Sequence, residues 1–177
     1  MEILIRQELT EEYHTSEEMI KRAFSNVEYS DKKEHILVNK IRKSDAFIPE
    51  LSLVALHQDK DIVGHILLSK IKIIDGDNAV DSLALAPVSV APENQKKGIG
   101  SQLIRAALKK AIELGYRSVI VLGHKDYYPK FGFKPASLWN IKAPFEVPDE
   151  VFMALELADH SLEDVQGVVH YSEAFME

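Results

Sequence analysis

Near the middle of the chain, Gln95, Lys96, Lys97, Gly98 and Gly100 stand between an apolar run and an amphipathic one. That combination suits anion binding. Glycines let an anion approach the backbone closely, and the free N–H groups that open a helix point at it with the positive end of the dipole. The lysines add longer-range attraction. Two familiar phosphate loops are excluded by residue identity: Leu103 stands where the dinucleotide fingerprint needs its third glycine, and no Gly-Lys-Ser/Thr follows for a P-loop. A bare Gly-x-Gly turn beside two lysines is equally a solvated loop, so the flanking elements decide.

Before the turn, Ser82 to Val90 is rich in Leu, Ala and Val with no charge after Asp81, the pattern of a strand buried on both faces. Pro87 removes a ladder donor, which predicts a bulge or a missing neighbour and a strand that splays there. After the turn, Ile99, Leu103, Ile104, Ala107, Leu108, Ala111 and Ile112 recur at helical spacing, with Arg105, Lys109, Lys110 and Glu113 between them. This predicts an amphipathic helix ending at Gly115.

With its flanks included, Gln95-x-x-Gly98-x-Gly100 behind Val88-x-Val90-x-Pro92 resembles the acyl-CoA signature of the GNAT superfamily of N-acetyltransferases. Tyr127-Tyr128-Pro129-Lys130-Phe131-Gly132-Phe133 resembles the aromatic-Tyr-x-x-x-Gly-Phe block of the same enzymes, in the expected order and separated from the signature by a helix and a strand. The likeness runs from Ile3 to about Leu157. It implies an α/β fold, a mixed, twisted central sheet of about seven strands with helices on both faces. It also implies acetyl-CoA as co-substrate and acetyl transfer to a primary amine by direct attack on the thioester. In that resemblance the Val88 N–H faces the thioester carbonyl and Val90 pairs with the pantetheine amide, through backbone alone. The pyrophosphate rests on the N–H groups of Lys96, Lys97, Gly98, Ile99, Gly100 and Ser101, with Gln95 at its edge. Tyr128 protonates the departing CoA thiolate. Tyr127 is read as an anchor, Phe131 and Phe133 as packing, and Gly132 as a turn residue.

One part of the pattern is missing. Many relatives carry a carboxylate or histidine at the positions of Ala84 and Ala86, and alanine cannot take a proton from the amine. His65 and His124 are the nearest substitutes by topology. The proton must leave through a bound water leading toward one of them, or the neutral amine must be selected from solution. The same absence keeps open an alternative, a non-catalytic acetyl-CoA-binding regulatory module of this fold.

Composition narrows the partners. At 177 residues the chain fits one domain, 1–177, with 158–177 as an extension whose Val168 to Tyr171 docks on the body. The 28 acidic residues against 21 basic ones, a net charge of −7, disfavour nucleic acid and anionic membranes. Without cysteine there is no disulfide, zinc-thiolate site or thiol nucleophile, which suits a cytoplasmic protein. The histidines have no metal-ligand spacing, so no metal is expected. The N-terminus lacks a signal pattern and no long apolar run occurs, so neither secretion nor membrane spanning is expected. A homodimer is compatible with the sequence, and the acceptor amine is not legible in it.

The remaining elements follow from local pattern. Ile3 to Arg6 predicts a strand, and Thr15 with Glu18 a capping box opening a helix to about Ser25. Asp31 and Glu34 offer a second cap for a helix to about Lys43. In the resemblance these two helices form a wall of the acceptor pocket. Leu51 to His57 and Ile62 to Ile74 predict a hairpin, followed by a turn at Gly76-Asp77-Asn78. Arg117 to Leu122 and Val151 to Leu157 predict the later strands, the second of them the last, and Pro135, Pro144 and Pro148 exclude a long helix between them.

Overall fold

The computed structural model describes residues 2–25, 27 and 30–175. Strand β1 (Ile3–Gln7) is followed by helices α1 (Tyr13–Phe24) and α2 (Glu34–Arg42), then by β2 (Ser52–His57), β3 (Asp61–Asp75) and β4 (Asn78–Val90). Helix α3 (Ile99–Glu113) leads to β5 (Ser118–Leu122), the two-residue strands β6 (Lys134–Pro135) and β7 (Ile141–Lys142), β8 (Phe152–Glu156) and β9 (Gly167–His170). The sheet runs β1-β2-β3-β4-β5-β8-β6, with β9 pairing β3 and β7. Among the described residues only β4 with β5 and β7 with β9 are parallel pairs. The expected seven strands become a nine-stranded sheet because β6 and β7 are too short to carry a pattern. Val168 docks as expected, but as part of a strand opposite Ile74, so Val151 to Leu157 does not hold the last strand.

Helices cover both faces, and β3 demonstrates it. At Gly64 an added Cβ would meet Leu103 Cδ1 of α3 at 2.9 Å, so this side of the strand lies under α3. The next residue, His65, points to the opposite face. There its Nε2 lies 3.2 Å from Ser52 Oγ and 3.5 Å from Glu8 Oε1, and Glu8 in turn binds Ser16 of α1 and Arg42 of α2. Ile99, Leu103, Ile104, Ala107, Leu108 and Ala111 of α3 are buried as the spacing predicts. Ile112, read into the same stripe, is exposed.

The helix starts differ from the sequence reading. Thr15 caps nothing: a 3-10 turn at Thr10–Glu12 runs directly into α1, whose N-cap is Glu12. The Glu12 carboxylate accepts from Leu9 N at 2.9 Å and is gripped by Arg6. At α2, Asp31 accepts from Lys33 N at 2.9 Å and shapes the approach, while the helix begins at Glu34.

What ties α1 and α2 to the sheet is the Glu8 carboxylate, whose side chain is fully buried. It accepts from Ser52 Oγ at 2.8 Å, from Arg42 at 2.5 Å and from Ser16 Oγ. Burial by itself would raise its pKa. The hydrogen bonds from His65 and Ser16 and the Arg42 charge overcome that and hold it at about 2, below the ordinary 4.5. A carboxylate with a depressed folded-state pKa stabilises the fold above its unfolded pKa and loses that contribution as pH falls through the folded value. Stability should therefore drop between about pH 4.5 and 2. Glu8→Gln should flatten that slope and, by leaving Arg42 partly unpaired, cost on the order of 3 kcal/mol at neutral pH. Denaturant unfolding of both proteins across a pH series checks this, and an unchanged acid slope in Glu8→Gln contradicts it.

Candidate active site

An extra residue in β4 sets the site. Ile66 pairs with Val88 and Leu68 with Leu85, so the single residue Leu67 faces both Ala86 and Pro87. On its other edge β4 pairs with β5 only at Leu83↔Val119 and Ala84↔Ile120. Just before the two strands part, a 2.8 Å hydrogen bond between Ser82 Oγ and Ser118 Oγ pins them together. Among the described residues no strand pairs with this edge of β4 from Leu85 onward. The splay expected at Pro87 is present and begins two residues earlier.

Backbone direction follows from the ladder. Ala91 N donates to Val63 O at 2.8 Å, toward β3. Along an antiparallel pair successive residues direct their polar groups to alternate sides. Ser89 therefore faces β3, whereas Val88 and Val90 present N–H and C=O to the opening. Gln95 Nε2 reaches Val90 O across that opening at 3.0 Å, so its side chain closes the turn from within.

The turn is built for a backbone approach. Gly98 is the N-cap of α3 at φ +83°, a conformation glycine adopts without penalty, and no side chain caps the helix there. The N–H groups that open α3 are thus left facing outward at the positive end of the dipole. Lys96 and Lys97 flank them, both exposed. A groove edged by backbone amides and ending at a helix N-terminus can hold an extended amide-bearing chain with an anion at its end.

The Tyr127–Phe133 block lies against this turn. Tyr127 Oη is 3.2 Å from Ser101 Oγ and 3.4 Å from where a Gly100 Cβ would lie, so Tyr127 joins the two motifs. Lys130 Nζ stands 4.2 Å over its ring. Tyr128 is buried, edge-on to Tyr127 at 5.1 Å and to Phe133 at 5.7 Å. Burial and the neighbouring Tyr127 push its phenol up to about 12. Sequence reasoning missed Gly123, where an added Cβ would lie 2.3 Å from Tyr128 Cε2. Only glycine leaves that ring its place, and the glycine's position between the end of a strand and a tyrosine block was the available signal.

The two histidines named as substitutes for the absent base separate clearly. His124 is 71% exposed, its Nδ1 accepting from Asp126 N at 3.2 Å. His65 is fully buried on the α1 and α2 face. Ala84 is buried beside Ser69 and offers no polar atom, as read from the sequence. A surface cavity of about 920 Å³, lined in part by Lys70, Asp81, Tyr116 and His170, lies toward the other end of β4 and includes none of the signature residues. Among the described residues no helix is long and apolar enough to cross a membrane.

Comparison with known proteins agrees with this geometry. Residues 6–133 match the acetyltransferase (GNAT) family. YjhQ of Escherichia coli K12, named an uncharacterized N-acetyltransferase, is 37% identical over 119 residues, 67% of this chain and 65% of that protein. YhbS of the same organism, named likewise, is 29% identical over 173 residues, 98% of each. The crystal structure of YhbS in complex with CoA shares the fold at a TM-score of 0.87 and 24% identity, over 99% of this chain and 92% of that one. A GNAT family acetyltransferase from Brucella melitensis in complex with acetyl-CoA has a TM-score of 0.80 at 33% identity, over 98% of each chain. With the family matched across 6–133 and the Brucella relative aligned nearly end to end, this chain belongs to the acetyltransferase (GNAT) family.

Proposed function

We propose that the protein is an acetyl-CoA-dependent N-acetyltransferase that passes an acetyl group to a primary amine by direct attack on the thioester. The observation that carries this reading is the unpaired edge of β4, with Val88 and Val90 facing an opening that ends at the uncapped start of α3. The CoA and acetyl-CoA complexes of YhbS and the Brucella enzyme support it. In this reading the Val88 N–H polarises the thioester carbonyl and steadies the oxyanion, and Val90 aligns the pantetheine amide. The amides from Lys96 to Ser101 take the pyrophosphate, with the two lysines supplying charge. Tyr128, a neutral phenol at neutral pH, gives its proton to the leaving thiolate. With a phenol at about 12 that transfer is uphill toward a thiol of pKa ~8.5, so the hydroxyl acts as sulfur leaves and not before.

Three outcomes follow. Gly98→Val forces a branched side chain into a left-handed conformation in front of the amides, and should abolish measurable acetyl-CoA binding by calorimetry in a folded protein. Unchanged affinity would falsify the phosphate-cradle assignment. Tyr128→Phe should lower turnover by ~10² or more with acetyl-CoA affinity nearly intact. The measurement is thiol release from acetyl-CoA over pooled amines, polyamines, amino acids and peptides. Equal turnover of the two proteins reduces Tyr128 to packing, and binding without release for any pool favours the regulatory module. Gly123→Ala displaces the Tyr128 ring, so it should lower turnover about as far as Tyr128→Phe, and the two changes together should cost little more than either. Additive losses in that double-mutant cycle would separate Gly123 from Tyr128.

A further inference from the structure

His65 lies on β3 between Val54 of β2 and Ser89 of β4. Its tautomer follows from its partners. The Glu8 carboxylate can only accept, and it takes the single hydrogen of Ser52 Oγ at 2.8 Å. The 3.2 Å contact between Ser52 Oγ and His65 Nε2 therefore has the imidazole as donor. In the neutral ring that leaves the lone pair on Nδ1, which is buried and has no partner among the described residues. Ser89 Oγ, on the residue directly opposite and on the same face, is also buried and also without a partner. Buried polar atoms are nearly always satisfied, and a bare acceptor near a bare donor is a setting that holds a water. Ser89 immediately follows Val88.

We propose that this pair is the exit for the amine proton, which passes through a water held between Ser89 Oγ and His65 Nδ1 to the imidazole. The proposal rests on the acetyltransferase reading above. The bound ammonium gives a proton to the water and the water gives one to Nδ1, which frees the nitrogen lone pair. That pair forms the N–C bond while the carbonyl π pair moves to oxygen. On collapse the C–S bond breaks with its electron pair on sulfur, which takes the Tyr128 proton. The Tyr128 phenolate regains a proton from the nitrogen and the imidazolium returns its own through the water to solvent, so the chain ends the cycle unchanged. The imidazole meets Ser52 from β2 and Glu8, which directly follows β1, and behind Glu8 stand Ser16 from α1 and Arg42 from α2, the latter shared with Glu17 and the Tyr13 carbonyl. Glu8 supplies the negative charge that the imidazolium meets. His65 is a positioning residue in this scheme, since only the water touches the amine.

Two measurements on the full chain with acetyl-CoA bound test it. Imidazole nitrogen NMR should find that the neutral form of His65 carries its proton on Nε2. A proton on Nδ1 overturns the relay whatever the acceptor. Thiol release with glycinamide, benzylamine and putrescine as probe acceptors should give an acid limb in kcat/KM at one pH for all of them. In His65→Gln that limb should vanish, with kcat/KM falling by roughly 10–10²-fold and acetyl-CoA affinity unchanged. Ser89→Ala removes a hydroxyl that no protein group binds, so Tm should hold while kcat/KM falls about tenfold, a split that a packing role does not produce. It also keeps the test intact if His65→Gln fails to fold. A limb that moves with the pKa of the amine, or full activity in Ser89→Ala, overturns the relay and leaves the acetyltransferase standing. Wild-type protein that binds no acetyl-CoA, or releases no thiol with any probe, removes the reading on which the relay rests.

Discussion

A β-sheet commits every backbone N–H and C=O to a neighbour, so a strand can offer its own backbone to a small molecule only where it loses a neighbour and keeps its place. In this chain one extra residue in β4, opposite Leu67, does this. The strand stays paired with β3 on both sides of the bulge, while its pairing with β5 stops at Ala84. Everything else at the site is placed relative to that freed edge. The turn at Gln95–Gly98 folds back on Val90, α3 starts at its end, and the tyrosine block closes on the start of α3 through Tyr127.

The two faces of the sheet are held by different physics. Toward α3 the contacts are aliphatic and close, with Leu103 against Gly64 and the buried stripe of the helix filling the layer. Toward α1 and α2 a buried carboxylate organises the packing, and Glu8 draws a strand, two helices and His65 into one network. Buried charge of this kind is costly unless every partner is present, and it therefore fixes how α1 and α2 sit on the sheet. The same network sets the tautomer of His65. In this molecule the device that positions the helices also determines which imidazole nitrogen is left without a protein partner.

Much of this was legible in residue order, because the informative features are local. A helix stripe, a proline in an apolar strand, two glycines before a helix and an aromatic block after a strand each act within a few residues. Each formed close to where the pattern put it, apart from Ile112, which lies outside the buried stripe, and the splay, which starts ahead of Pro87. The failures were also local. Thr15 and Glu18 form a plausible cap, yet the Thr10–Glu12 turn, secured by Arg6, leads into the helix ahead of it. Strands β6 and β7 are two residues each, below the length at which alternation can be recognised.

The sequence alone therefore determined the two-glycine turn ahead of a helix, the splayed strand, the family resemblance and the absence of a base at Ala84 and Ala86. Only the tertiary structure decided which residues stand beside those positions. Ser52, His65 and Ser89 belong to three strands and share one face because of the register between those strands, and Glu8, just past the end of β1, joins them through its backbone bond to Ser52. A slip of one residue would have turned any of them to the other side. Register is set by long-range pairing and by the bulge at Pro87, and no single stretch of chain records it.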